Sequence, residues 1–287
     1  MKLSRFVAAA AVAVGLIGPT VTAAPATAAP AGNIVTLGDS YTANPDEIRN
    51  TIRDIPAKPV QDYVWNYPHQ AGCLQAPNNW PRQLGAAVGA PVSDWSCTAQ
   101  TSQSMLGRID GAIRAGDLHA GTRSVVIAVG MNDYGPFGIS QGFQPWNPGA
   151  MSVDYTRNIA AAAAKIRSVA PRAKIVLSGS LAVSEPAAPN MFCPVNVVPN
   201  APAGVPLPQL NGVEVHNEAR QRDAARAVGA TFVDMRWASA GHTSCNPDAS
   251  QRYVAGAVDT TTPGKTMSMH PSAAGSSFIA SRLAPVV

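Results

Sequence analysis

Apolar residues in this chain fall into short continuous runs, and the stretches between them carry helical spacing. Ile34, Val35 and Leu37 form the first run, closed by Gly38, and predict a buried strand ending in a tight turn. Pro91–Ser96, Ser124–Val129, Ala173–Leu177 and Thr231–Val233 predict further strands. Ser124–Val129 is the clearest of them, with Val125, Val126, Ile127 and Val129. Helices are predicted over Trp80–Val88, with Pro81 near its start, and over Met105–Ala115, with Leu106, Ile109 and Ile113 on one face. The Ala-rich Asp154–Val169, then Val213–Val228, and Ser272–Leu283 after Pro271 predict three more. Ala43–Asn79, Tyr134–Gly149 and Glu185–Pro208 read as long irregular segments. Wholly apolar strands alternating with helices imply a parallel sheet covered on both faces, an α/β fold of three layers, α/β/α. In such folds the ligand crevice lies at the carboxyl ends of the strands, and Ser40 and Asn132 each follow such an end.

The first residues lie outside this pattern. Lys2 and Arg5, the apolar run Phe6–Gly18 and Ala26-Thr27-Ala28 have the order of a secretory signal peptide, residues 1–28. Residues 29–287 then form one domain, with no internal repeat and no low-complexity linker. Only 13% of residues are charged, and the formal charge of +4 is scattered, leaving neither a nucleic-acid footprint nor a polybasic membrane patch. Four cysteines in an exported chain, none in a C-x-x-C pair, favour two disulfides over a metal or redox site. Three connectivities are open. Cys73–Cys97 with Cys193–Cys245 is preferred, because each closes a long irregular segment without crossing the other.

Ser40 sits where a turn opens a helix, a place that also suits an ordinary N-cap. A serine nucleophile needs a base, a group orienting that base, and donors aimed at the developing oxyanion. Of the five histidines, His69, His119, His216 and His242 fall in irregular or helical stretches that suit structural or surface roles. His270 differs, because it stands in the loop before Pro271 and the last helix, returning to the same sheet edge.

These positions resemble the SGNH, or GDSL-type, hydrolases. The first family block stands as Gly38-Asp39-Ser40-Tyr41, with Tyr41 in place of the leucine of the family's name. The third is complete as Gly130-Met131-Asn132-Asp133, and the last stands as His270-Pro271. The resemblance implies a flavodoxin-like fold and a secreted esterase or lipase, with Ser40 as nucleophile and His270 as general base. Asn132 and the backbone N–H of Ser40 would form the oxyanion hole, while Asp39 and Asp133 brace their turns.

Two departures stand out. The family's second block uses a glycine N–H as oxyanion donor. The matching place is Ala99, with Gly107 a weaker candidate. The aspartate usually found three residues before the histidine is here Met267. The expectation is therefore a Ser40–His270 dyad steered by the Met267 carbonyl, with Asp259 as fallback.

No cofactor or metal is implied, since H-E-x-x-H and phosphate-loop motifs are missing. A small-molecule, lipid or glycan ester is the expected partner of a monomer in transient contact with lipid or cell envelope. Trp65, Tyr67, Phe137, Phe143 and Trp146 would either line an acyl groove or anchor the long loops. A carbohydrate or envelope O-acyl esterase or acyltransferase would use the same residues. A non-catalytic envelope-binding protein on this fold also stays open.

Overall fold

In the computed structural model, which describes residues 30–287, the apolar runs pair as one parallel sheet. The expected signal peptide lies outside the described residues. β1 (Ile34–Gly38) lies between β2 (Val92–Asp94) and β3 (Ser124–Ala128), with β4 (Lys174–Ser178) and β5 (Thr231–Val233) beyond β3. The order β2-β1-β3-β4-β5 is the flavodoxin-like winding. Thr36 lies opposite Asp94, and Gly38 opposite Ala128.

Successive strand side chains point to opposite faces, so a strand buried on both sides feeds two cores. Ile34, Val126, Val176 and Val233 meet Trp80, Leu84, Ile279 and Leu283 from the paired helices Trp80–Val88 and Ala273–Leu283. Val35, Leu37, Val125, Ile127 and Leu177 meet Ile109, Tyr155, Ile159 and Ala224 on the other face. Those side chains come from the helices Met105–Arg114, Pro148–Val169 and Pro208–Ala227. The result is the three-layer α/β/α arrangement.

The irregular segments hold more order than their composition suggests. Ala43–Asn79 contains the helices Glu47–Ile52 and Lys58–Trp65 and a small hairpin, His69–Gln70 with Cys73–Leu74. Tyr134–Gly149 contains the short helix Pro136–Ser140. Glu185–Pro208 contains an antiparallel pair, Met191–Asn196 with Ala203–Pro206. Two long helices also begin earlier than expected, at Pro148 and Pro208. Proline suits the first helical position, where its missing N–H would have no partner anyway. The cysteines pair as Cys73–Cys97 and Cys193–Cys245.

The topology positions the site. From β1 the chain passes to β2 on one side and returns to β3 on the other, so the winding reverses beside β1. The crevice of a doubly wound sheet opens at that reversal, past the carboxyl ends of the strands.

Candidate active site

Gly38 ends β1, and a Cβ there would stand 2.0 Å from Thr42 Oγ1, so only glycine lets the next turn coil back so closely. Asp39 caps the one-turn helix Ser40–Ala43, accepting the Tyr41 N–H at 2.9 Å. Ser40 is the first helical residue, so its own N–H has no intrahelical acceptor. Burial pushes the Asp39 carboxyl up to about 7, partly opposed by that Tyr41 N–H.

The loop after β2 is drawn to the same edge. The Cys97 N–H donates to Gly38 O at 3.0 Å, and Cys97 is held from the other side by its bridge to Cys73. Asp94 takes the Ser96 N–H and hydroxyl, at 3.0 and 2.6 Å, which steers the chain into this loop. Ala99 follows with φ +67°, the left-handed region that favours glycine. That conformation turns the loop over, and the Ala99 N–H has no acceptor among the described residues.

After β3, Gly130 at φ +147° packs so closely that a Cβ would meet Asn217 Oδ1 at 2.6 Å. The single turn Met131–Tyr134 then presents Asn132, whose Nδ2 donates to Gln100 O at 3.0 Å, beside Ala99. Asp133 points inward and is fully buried. It accepts from the Ser102 N–H (2.8 Å) and hydroxyl (2.9 Å) and pairs with Arg220 at 3.1 Å. Arg220, itself fully buried, also donates to Gly130 O and lies against the rings of Tyr134 and Tyr155. Tyr134 in turn bonds His216 Nδ1 at 2.6 Å, and His216 Nε2 meets Ser152 Oγ at 3.0 Å.

His270 reaches this edge from the far end of the chain. Its loop is bound to the segment just after the Ser40 helix. Asn44 Nδ2 donates to Pro271 O (2.8 Å), Thr266 Oγ1 to Asn44 O (2.7 Å), and the Ser268 N–H and hydroxyl to Glu47 Oε2. The His270 ring lies 4.9 Å from that of Tyr41, centroid to centroid. Ser40, Ala99, Asn132 and His270 line one cleft of about 350 Å³, together with Asn50, Arg53, Thr98, Phe137 and Met267.

The group facing His270 Nδ1 is the carbonyl of Ser268, at 2.7 Å, and not that of Met267. Met269 at φ +64° folds the chain tightly, bringing the carbonyl two residues back onto the ring. Asp259 is not at the ring either. It accepts from the N–H groups of Gly256, Thr261 and Thr262 and from the Thr262 hydroxyl. Against the desolvation of its site, the Thr262 hydroxyl and those N–H groups hold it at about 2. A carbonyl only accepts, so in the neutral ring the proton sits on Nδ1 and the lone pair on Nε2. Nε2 is buried and has no hydrogen-bond partner among the described residues. Burial lowers the His270 pKa, opposed by the Ser268 carbonyl and by Glu47, so the ring is neutral at neutral pH.

Residues 36–277 match the GDSL-like Lipase/Acylhydrolase family. The chain belongs to this family. As a GDSL-like hydrolase it is 29% identical to Lipase 2 of Streptomyces coelicolor over 255 residues, 81% of this chain and 79% of that one. Its fold matches the extracellular lipase of Streptomyces rimosus with a TM-score of 0.55 at 19% identity, covering 90% of this chain and all of the other. A phospholipase A1 from Streptomyces albidoflavus gives 0.53 at 18%, over 86% and 95%.

Of Trp65, Tyr67, Phe137, Phe143 and Trp146, only Phe137 lines the cleft of this GDSL-like hydrolase. Phe143 is buried, Trp65 Nε1 bonds Gln61, the Tyr67 hydroxyl accepts the Asp46 N–H, and Trp146 is exposed. Gly107 lies within the Met105–Arg114 helix, away from the cleft. Arg53 and Arg220 escape a reading of the sequence alone. A lone arginine in a polar helix has no local mark separating a buried role from a solvated one.

Proposed function

We propose that this protein is an exported carboxylic ester hydrolase that works through an acyl-enzyme on Ser40, with His270 as general base. The observation that carries this reading is the shared cleft, lined by both Ser40 and His270, whose Nε2 has no partner among the described residues. In acylation, Ser40 Oγ bonds the acyl carbon while its proton passes to Nε2. The proton then goes to the departing alkoxide, releasing the alcohol. Water repeats the sequence and releases the acid.

The developing oxyanion is met by the N–H groups of Ser40 and Ala99 and by Asn132 Nδ2, donors fixed before substrate arrives. The Ser268 carbonyl sets the tautomer but lends the imidazolium less charge stabilisation than a carboxylate would. Phe137 and Met267 supply an apolar wall for the acyl group. The lipase names of the relatives and the two disulfides support an ester substrate and an oxidising compartment.

A fluorophosphonate probe, followed by peptide mapping, tests the assignment. Ser40 is expected to be modified in the wild type, and His270→Ala to abolish the modification. Ser40→Ala is expected to lower kcat on the order of 10⁴-fold or more. Equal slow turnover by wild type and Ser40→Ala would overturn the reading. A chain-length series of 4-nitrophenyl esters then separates long-chain lipase from short-chain esterase activity.

A further inference from the structure

One wall of the cleft carries a charge that the acyl-transfer steps leave unused. Arg53 Nη1 donates to Asn50 Oδ1 at 3.0 Å and to Thr98 Oγ1 at 2.8 Å, both neutral acceptors. Thr98 immediately precedes Ala99, so the guanidinium is anchored one residue from a proposed oxyanion donor. Its nearest carboxylate, Asp54, lies 3.8 Å from Nε with a side chain 92% exposed, a contact that water and salt screen. Nη2 has no hydrogen-bond partner among the described residues. The Arg53 side chain is itself only 27% exposed.

Among the residues lining the cleft, none bears a carboxylate and Arg53 alone is permanently charged. Held by neutral acceptors and by one screened carboxylate contact, the guanidinium keeps donors free for a negatively charged group entering the cleft. The guanidinium fork fits the paired oxygens of phosphate or carboxylate, and such charge-assisted contacts are among the stronger hydrogen bonds.

We propose that Arg53, framed by Asn50 and Thr98, forms an anion subsite, so that the preferred ester carries a phosphate or carboxylate group near its scissile bond. This rests on the ester-hydrolase reading and names the class of ester. A charge-assisted contact is worth about 1.5–3 kcal/mol, or roughly 10- to 100-fold in kcat/KM.

Two matched pairs test it. 1-Butyrylglycerol 3-phosphate against 1-butyrylglycerol places the charge on the alcohol side, and monoethyl succinate against ethyl butyrate places it on the acyl side. The wild type is expected to prefer the charged member of one pair by about tenfold or more, and that pair identifies the anion. Arg53→Gln is expected to erase the preference, and Arg53→Lys to keep part of it. No preference in either pair, or equal losses for charged and neutral members in Arg53→Gln, would overturn the subsite.

Binding of the same four compounds to Ser40→Ala, by calorimetry, gives a readout independent of turnover. There the charged member is expected to bind about tenfold more tightly, and Ser40→Ala with Arg53→Gln to lose the difference. Should fluorophosphonate fail to label Ser40, the hydrolase reading falls, while the binding difference still decides whether the cleft holds an anion.

Discussion

Ala99 holds a backbone conformation that costs an L-residue about 1–2 kcal/mol, at a position where glycine would carry no such cost. Ala99→Gly removes that strain but loosens the unfolded chain by about 0.4–1 kcal/mol. A net gain of about 0.5–1 kcal/mol in urea unfolding is expected, and a net loss would show that the Ala99 methyl packs productively. His270 supports a second prediction at this scale. As the proposed base, His270 would act only when neutral, so kcat/KM is expected to fall as pH drops through its pKa. Burial places that limb below the 6.5 of an ordinary imidazole. Glu47→Gln removes a carboxylate that raises the His270 pKa, so the limb should move lower still. A pH profile on a water-soluble ester checks both, and an upward move would contradict the cause assigned.

At the scale of elements, the turn carrying Asn132 is bound to the Pro208–Ala227 helix through Asp133 and Arg220. Both side chains are fully buried, and Arg220 also holds Gly130 O. Removing one member of a buried pair leaves the other charged without compensation, at a cost of about 3–5 kcal/mol. Arg220→Met is therefore expected to lower unfolding stability by about that amount. A change under 1 kcal/mol would mean that Asp133 is already neutral. Burial raises the Asp133 pKa while Arg220 lowers it, and the raising influence prevails. The helix itself is legible in the sequence, but this contact is not. Helical periodicity places Arg220 on a face and carries no information about which turn packs there. The early starts at Pro148 and Pro208 are hidden for a related reason, since proline reads as loop until its place in the first turn is known.

Across the whole molecule, what the chain reveals in advance is the part set by local chemistry. Continuous apolar strands specify the buried parallel sheet, and Gly38, Gly130 and the residues after them mark its carboxyl edge. The orienter of His270 is not legible in this way. Choosing between Met267, Ser268 and Asp259 depends on Met269 entering the left-handed region, which nothing adjacent in the sequence requires. The Cys73–Cys97 bridge spans 24 residues and Cys193–Cys245 spans 52, so chain entropy assigns them about 3 and 4 kcal/mol. Only the first adjoins Thr98 and Ala99. Replacing Cys73 and Cys97 by serine should therefore abolish ester turnover at a urea concentration below that of bulk unfolding. Replacing Cys193 and Cys245 should make the two transitions coincide, and fluorescence read beside activity distinguishes these outcomes.

The bonds joining Asn44 to Pro271 and Thr266 span more than two hundred residues of chain. A ribosome releases the serine long before it releases the imidazole. On the proposed mechanism, a nascent polypeptide not yet extended past His270 has the hydroxyl without its base. Ester attack would then wait until the Ala273–Leu283 side of the sheet has docked.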